Sequence, residues 1–435
     1  MSFFLFAVII FLFGDSMNKI NGKSYLLIGL ILILVGIFNL IGNVSLFRSI
    51  ADLTLIIMVL ITIKDLFSLI VKKPKIDIKL FIRIINVFIA TLAFIFHDYS
   101  IAIVPIIFAI YTIGNAIVYF INFAIVKINT SRYGVRYFFC GLIYLAVGIM
   151  ILFRPLINLG FMLNIIGIYA ILLGTTFIFD YLQINHYYRF LKIRISLPSI
   201  IEAFIPLSVL RSINKEINNN KEIDYEYTKV NQKPDLEIFI HVTEKGFGRL
   251  GHMDICYNDE IISFGNYDIS SYKFHELFGH GIVFITNEKE KYIKFCIKDT
   301  KKTLFSFGLK LTEKEKQEVE NNIKKIKEEL KEWQPPCLKD NKKHIDYSSR
   351  LYKATKADFY KFKKSKYKIF FVLGNNCVSL ANRIIGKNLR DKFKFYGVMT
   401  PGTYYDYLER EYMKKRGIVV SKKIYSKLNI NKFHL

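Results

Sequence analysis

Cysteine is scarce in this sequence of 435 residues, and no two cysteines lie close together. There are five, an odd number, at Cys140, Cys256, Cys296, Cys337 and Cys377. The odd count argues against a disulfide framework, and the wide spacing argues against a structural zinc site. We therefore predict a protein without a bound metal or cofactor, in which one cysteine is available as a nucleophile.

Acidic side chains are also few: 36 Asp and Glu residues stand against 61 Lys and Arg residues, which gives a net charge of +25 at pH 7. Nucleic acid and anionic lipid headgroups are the two partners that such a charge suits. The sequence contains no nucleic-acid module with suitably spaced stacking aromatics, so we predict no nucleic-acid partner. The membrane segments described next favour lipid, and a general use of Lys for solubility explains the charge equally well.

Charged residues are sparse before residue 180, where long apolar runs alternate with short polar loops. A helix needs about 20 apolar residues to cross a bilayer. Six segments satisfy this requirement: 24–42, 50–71, 79–96, 100–126, 133–153 and 157–180. A seventh run, 3–13, is shorter, and Asp15 and Ser16 follow it where a signal peptide would have a small-residue cleavage site. We therefore predict that this run is retained, within a membrane domain over residues 1–194.

The six segments form three predicted helical hairpins, which begin near Tyr25, Leu80 and Tyr133. The strings LILVGIFNL (32–40) and LAVGIMILF (145–153) are related, which indicates an internal repeat. This pattern of hydropathy and glycine placement resembles the HdeD-type membrane proteins, a six-helix family of repeated hairpins. The resemblance implies an α-helical transmembrane bundle.

Loops that carry several Lys and Arg residues alternate with loops that carry at most one. The basic loops are 72–78, 127–136 and 189–194. Because basic loops lie on the cytoplasmic side, the chain after residue 180 is predicted to be cytoplasmic. Residues 195–210 are apolar but contain Glu202 and two prolines, so we predict an interfacial segment, followed by a linker to residue 234. If this segment crossed the bilayer instead, the next domain would lie outside the cell.

The chain after residue 234 has the mixed composition of a water-exposed α+β domain. Alternating and β-branched runs predict strands at 235–244, 251–257, 260–266, 281–286 and 292–298. Helices are predicted over 311–332, with Thr312 as N-cap, from Cys377 to residue 386, and over 400–413. We place this domain at 235–415 and predict a basic tail over 416–435.

Cys377 is the strongest candidate nucleophile, because it lies where a Gly-Asn-Asn turn meets a predicted helix start. A helix N-terminus stabilises a thiolate, which is the attacking form in acyl transfer. A buried structural cysteine is the alternative. His252, on a predicted strand after Gly251, is the candidate base. The other histidines that compete for this role are His241, His275, His280 and His344, of which His280 is also preceded by glycine.

Four short motifs follow one another in a specific order. The string GRLGHMDICYNDEIISFGNYDISS (248–271) contains Gly-His and then Phe-Gly-x-x-Asp; Leu311-Thr312 and Asn376-Cys377 come later. This order resembles that of the Lnb-type bacterial lipoprotein N-acyltransferases, over about residues 245–390. A histidine that precedes the cysteine also looks like the circularly permuted papain-like fold, which is the fold we expect for this domain.

The resemblance implies roles for six residues. Cys377 matches the family nucleophile and His252 its base, while Asp268 or Asn266 could orient the imidazole. Asn376 precedes the nucleophile, where a turn amide could help to hold the oxyanion, and Tyr267 stands where the family has an aromatic residue.

The cluster KFKKSKYK (361–368) precedes the Cys motif, and Lys363 and Lys364 within it could contact phospholipid headgroups. A solvated charged face is the other interpretation.

The implied activity is a thiol acyltransferase that moves an acyl chain from phospholipid, through a Cys thioester, to the N-terminus of a lipoprotein or to another amine. A papain-like hydrolase of peptide or lipid bonds is the first alternative, and a non-catalytic membrane sensor or scaffold is the second. We expect the protein in the cytoplasmic membrane. Charge bias places the domain inside the cell, whereas lipoprotein N-acylation implies the outer face.

Overall fold

The structure is a computed structural model. It describes residues 22–41, 44, 47, 49, 52, 97–130, 134–155, 157–185, 205–218, 226–228, 233–243, 251–339, 344–393, 400–414 and 417–427. The predicted segments 3–13, 50–71 and 79–96 lie outside the described residues.

Four helices in the described part of the N-terminal half are long and apolar enough to cross a membrane. They are α1 (Gly22–Ile41), α2 (His97–Asn129), α3 (Val135–Phe153) and α4 (Leu159–Asn185). These helices coincide with four of the six predicted spans. They confirm the prediction of a membrane protein. Their apolar side chains are widely exposed, as expected for lipid-facing surfaces.

Close helix contacts in this half occur at glycines that the two related strings share. A Cβ on Gly36 of α1 would lie 2.7 Å from the carbonyl oxygen of Gly167 in α4. A Cβ on Gly148 of α3 would lie 2.7 Å from the hydroxyl of Thr112 in α2. Small residues let membrane helices approach closely, so the repeated glycine has a packing role in both strings.

The chain divides into two compact units, of which the second comprises residues 2–29, 121–134 and 175–435. It contains a nine-stranded antiparallel sheet among the described residues, in the order β1-β11-β7-β2-β3-β4-β6-β9-β8, and a second ladder of β5 and β10. The strands are β1 (Glu226–Thr228), β2 (Leu236–Val242), β3 (His252–Tyr257), β4 (Glu260–Gly265), β5 (Phe278–His280), β6 (Ile282–Thr286), β7 (Thr303–Leu309), β8 (Leu330–Glu332), β9 (Asp358–Phe362), β10 (Ile369–Phe371) and β11 (Val419–Tyr425).

The helices of this unit are α5 (Ile205–Asn218), α6 (Lys289–Lys294), α7 (Glu313–Glu328), α8 (Tyr347–Thr355), α9 (Cys377–Phe393) and α10 (Pro401–Met413). Helix α9 packs against β3, β4 and α7, and α5 packs against α10 and β2. The predicted interfacial segment therefore ends in a helix of this unit. The mixed helix and antiparallel-sheet composition predicted for the C-terminal part is confirmed.

Local sequence explains two of these elements. The β3–β4 hairpin turns at Asn258 and Asp259, whose φ angles of 51° and 62° suit the left-handed turn residues that Asn and Asp tolerate. Helix α7 begins with a capping box, in which Thr312 and Glu315 each accept a hydrogen bond from the other residue's backbone N–H.

Residues 292–298, predicted as a strand, instead belong to α6 and a following π-helical turn, Phe295–Asp299. Tyr292, Ile293 and the apolar residues of the turn are all buried. A continuous apolar run of this length fits a buried helix as well as a buried strand, which is why the pattern misled.

The sheet extends past both predicted domain boundaries, 235 and 415. Strand β1 lies in the predicted linker, and β11 lies in the predicted basic tail, where it pairs with both β1 and β7. Lys422 of β11 is buried, and its ammonium group lies 2.7 Å from a carboxylate oxygen of Glu409. This ion pair allows a Lys-rich segment to enter the sheet.

A buried ion pair fixes α10 to the end of membrane helix α4. Arg410 Nη1 lies 2.6 Å from Asp180 Oδ2, and the guanidinium group also contacts Asp406. The rings of Phe177 and Tyr25 lie 4.6 and 5.5 Å from the guanidinium carbon. Removing one partner of such a pair typically costs about 3–5 kcal/mol, because the other charge is left buried and unpaired.

Candidate active site

Cys377 is the first residue of helix α9 and is buried. Two amides shape the turn before it. Asn375 Nδ2 donates to the carbonyl of Lys366 (2.7 Å), and Asn376 Nδ2 donates to the carbonyl of Val372 (2.8 Å). Oδ1 of Asn376 accepts from the backbone N–H of Ser379 at 3.2 Å, as an N-cap does. The thiol is therefore held at a helix N-terminus, as the sequence predicted.

A turn amide at Asn376 was expected to help hold an oxyanion. Both polar atoms of the Asn376 side chain are engaged within the turn. Helix geometry leaves the first-turn N–H groups of Cys377 and Val378 without an intrahelical acceptor. These two backbone groups are thus the nearer candidates for that role.

The structure brings His252 to Cys377. His252 is the first residue of β3, against which α9 packs. Burial by itself would lower the pKa of His252, but the charges of Cys377 and Asp254, and hydrogen bonds to both, raise it to about 10. An imidazole whose pKa is raised in this way carries a proton at neutral pH.

Asp254 is the carboxylate that holds the imidazole. Its Oδ1 lies 3.0 Å from Nε2 of His252, and its Oδ2 lies 2.6 Å from Nε2 of His241. The Tyr292 hydroxyl donates to Oδ2 at 2.6 Å. Burial would raise the pKa of Asp254, but the two imidazoles keep it well below its usual range. Nε2 of His252 thus lies beside a buried negative charge.

His241 lies directly opposite His252 in the β2–β3 register. Burial lowers the pKa of His241 to about 4, so this second imidazole is neutral at pH 7. Nε2 of this imidazole is the ring nitrogen nearest to Asp254, 2.6 Å from Oδ2. His241, a competitor for the role of base, is thus a support for Asp254.

Two hydroxyl groups complete the surroundings of His252. Ser263 Oγ and the Tyr267 hydroxyl each lie 3.0 Å from Nε2, and they lie 2.7 Å from each other. The Tyr267 ring stacks on Tyr347 with centroids 5.2 Å apart. The predicted aromatic position is therefore in the site, where it packs beside the imidazole.

Asp268 and Asn266, expected to orient the imidazole, lie elsewhere. Asp268 Oδ2 contacts His280 Nδ1 at 3.0 Å and Lys361 Nζ at 2.9 Å. Asn266 Nδ2 donates to the carbonyl of Phe278 at 3.3 Å. The chain leaves β4 at Gly265 and turns, which carries both residues towards β5 and away from β3. The prediction that either residue orients His252 is wrong.

Of the two predicted headgroup contacts, Lys363 donates to the carbonyl of Glu328 at 3.1 Å, and both Lys363 and Lys364 are exposed. Lys366 is nearer to the site, because its Nζ lies 3.2 Å from Ser379 Oγ in the first turn of α9. A headgroup contact of Lys363 and Lys364 remains a prediction.

One group of side chains in the described part of the chain has metal-ligand spacing: Glu237, Cys256 and Asp259. The ammonium group of Lys289 contacts Glu237 and lies 3.4 Å from Asp259. Burial raises the pKa of Cys256 to about 12, so its thiol is neutral. Because Lys289 already supplies the positive charge that a metal ion would bring, we assign these side chains to an ion-pair cluster.

No protein-family model, curated protein or solved structure matches this chain. The likeness to the Lnb-type family therefore rests on its short motifs alone, and the likeness to the HdeD-type family rests on hydropathy and glycine placement.

The raised pKa of His252 predicts a pH-dependent contribution to stability. Between about pH 6.5 and pH 10 the folded chain keeps a proton that the unfolded chain has lost. The contribution of His252 is thus fully present below pH 6.5 and is lost as the pH rises through 10. In detergent, we expect the difference in melting temperature between the wild type and His252→Gln to shrink from about pH 7 to about pH 10. A difference that grows over this range would contradict a protonated His252.

Proposed function

We propose that this protein is a membrane-anchored thiol acyltransferase, in which Cys377 takes an acyl chain from phospholipid and passes it to an amine. One observation carries the proposal. A buried cysteine at the start of a helix interacts with an imidazole, and a buried carboxylate lies against that imidazole. Enzymes that transfer acyl groups through a thiol use a nucleophile, a base and an orienting group arranged in this way. The four apolar helices favour lipid as the donor, because they confine the thiol to the surface where phospholipid is concentrated.

The first half-reaction forms an acyl-enzyme. The Cys377 thiolate attacks the ester carbonyl carbon, and the oxyanion lies near the first-turn N–H groups of α9. The new S–C bond forms as the ester C–O bond breaks. His252, protonated while it pairs with the thiolate, gives its proton to the departing oxygen. A lysophospholipid leaves, and Cys377 carries the acyl chain as a thioester.

The second half-reaction transfers the chain. An amine nitrogen attacks the thioester carbon, and the N–C bond forms as the S–C bond breaks. Neutral His252 takes the proton that the amine loses, which restores the thiolate–imidazolium pair. Asp254 holds the imidazole in place through both steps.

A permuted papain-like fold is part of the proposal. In such enzymes the cysteine begins a helix that packs on an antiparallel sheet, and the histidine lies on a strand of that sheet. Here α9 packs on β3 and β4, and the chain order is histidine first. The amine of a lipoprotein N-terminus is the acceptor that the sequence resemblance suggests, and it would require the domain to face outward.

Transfer and hydrolysis differ only in whether an amine or water reaches the thioester. The test uses the full chain in vesicles of phospholipid labelled in one acyl chain, with a lipid-modified Cys peptide as acceptor. We expect the label in an amide of the peptide and an equal amount of lysophospholipid. Label that appears only as free fatty acid would overturn transfer in favour of the hydrolase, and no release of label by the wild type would overturn both.

A further inference from the structure

Apolar side chains are exposed on the segments next to the Cys377 turn. The exposed fractions are 73% for Phe274, 51% for Ile269 and 43% for Leu373. These segments are joined: the Val372 N–H donates to the Leu277 carbonyl at 3.2 Å. The ring of Phe278 stacks on Phe371 at 4.6 Å, inside the same pair of segments. The surface beside the thiol therefore presents apolar groups to its surroundings.

The loop that carries Phe274 has a strained backbone. Phe274, His275 and Glu276 have φ angles of 51°, 53° and 71°. Left-handed conformations of non-glycine residues are unfavourable and persist only when surrounding structure fixes them. Lys273 and Phe278 exchange backbone hydrogen bonds across the base of this loop. The fold thus holds a bulky aromatic ring outward at a conformational cost, which indicates a use for the ring in that position.

The neighbouring turn lies against a membrane helix. A Cβ on Gly374 would lie 2.3 Å from the side-chain amide of Asn122. Asn122 belongs to the candidate span Pro105–Asn129, within one turn or two of its end. Leu373 is therefore next to a residue that contacts the last part of an apolar helix. A helix that is long and apolar enough to cross a bilayer therefore contacts this turn.

The charge beside the ring also suits a bilayer. Lys273 is exposed and precedes Phe274 directly. Adjacent basic and aromatic side chains are typical of segments that lie at the boundary of headgroups and acyl chains. The chain as a whole carries +25, which favours an anionic lipid surface.

From these observations we propose that the loop Lys273–Leu277, together with Leu373, inserts into the headgroup–acyl boundary of the bilayer that holds the helices. The inference deepens the proposed function, on which its consequence for catalysis rests. Leu373 precedes Cys377 by four positions, so insertion brings the thiol to the depth of lipid ester carbonyls. The acyl donor is then an intact diacyl phospholipid of the same bilayer, and not a water-soluble acyl carrier.

The direct test measures the depth of residue 274 by tryptophan fluorescence. The full chain carries Trp333→Phe, which removes the one native tryptophan, and Phe274→Trp. It is reconstituted in vesicles whose lipids are brominated near the headgroup end of the acyl chain. We expect roughly half or more of the emission to be quenched, because boundary segments lie about 5–10 Å into the bilayer. The control places tryptophan at Lys324, exposed on α7, where emission stays unquenched.

Equal emission of the two tryptophans with and without bromine would overturn the inference. A second variant keeps that result separate from catalysis. Phe274→Asp should lower acylation of Cys377 by vesicle phospholipid about tenfold relative to acylation by a short-chain ester dissolved in water, because the variant replaces the apolar contact with a charge. An unchanged ratio would also overturn the inference. If the wild type reacts with neither ester, the proposed function fails, and quenching alone decides where the loop lies.

Discussion

Replacing Cys377 by Ala will remove acyl transfer from phospholipid, with a fall in turnover of at least about 10⁴-fold, because loss of a nucleophile leaves only binding and oxyanion contacts. The matched control is Cys337→Ala. Cys337 is also a free cysteine, but it lies on a 3₁₀ turn near α8, where its backbone N–H donates to Ser349. We expect this variant to keep its activity within a factor of about three, as for substitutions away from a site.

The measurement is the rate of lysophospholipid release by purified, reconstituted protein. Both variants must keep the wild-type melting temperature within a few degrees for the comparison to stand. If Cys377→Ala retained turnover, Cys377 would be a buried structural cysteine, as the sequence alone allowed. If Cys337→Ala lost turnover as well, the assignment of a single nucleophile would be wrong.

Replacing Asp254 by Asn will lower turnover by about 10³-fold, because an amide no longer fixes the tautomer of His252 or stabilises its protonated form. The side chain keeps its shape, so the packing of β3 is largely preserved. The matched control is Asp268→Asn, the residue that the sequence motif favoured. Its carboxylate contacts His280 and Lys361, and we expect its turnover to stay within a factor of about three.

A pH profile separates positioning from general destabilisation. Loss of the Asp254 charge removes one of the two partners whose charges raise the pKa of His252. The alkaline limit of turnover should therefore move to lower pH in Asp254→Asn and stay in place in Asp268→Asn. The opposite pattern, with Asp268→Asn the more damaged variant, would restore the expectation drawn from the sequence.

Asp254 and Asp268 show which part of the site could be predicted from the sequence and which could not. The Phe-Gly-x-x-Asp motif drew attention to Asp268, yet the chain turns after Gly265 and removes Asp268 from the imidazole. Asp254 follows His252 by two positions on a predicted strand, and side chains two apart lie on the same face. The strand pattern that predicted β3 thus places Asp254 on the same face as His252. The importance of Asp254 became clear only from the structure, in which His241 lies opposite His252 in the neighbouring strand.

Local signals predicted the two strands on either side of Asn258–Asp259, the capped helix α7 and the placement of Cys377 at a helix start. Each of these depends on neighbouring residues only. Strand β11 was missed because its Lys-rich segment becomes a strand through pairing with distant β7 and through the Lys422–Glu409 ion pair. Strand β1 was missed because its pairing partner is β11, about 200 residues away in the sequence. Long-range pairing of this kind leaves little trace in local composition.

The central claim is that Cys377 carries an acyl chain taken from membrane phospholipid. The most direct measurement is the mass of the peptide that contains Cys377, isolated at acidic pH after wild-type protein has been incubated in vesicles of one defined phospholipid without an amine acceptor. We expect a mass increase of one acyl group of that lipid, which hydroxylamine removes and which His252→Ala does not show. An unmodified Cys377 peptide, under conditions in which lysophospholipid is being released, would contradict it.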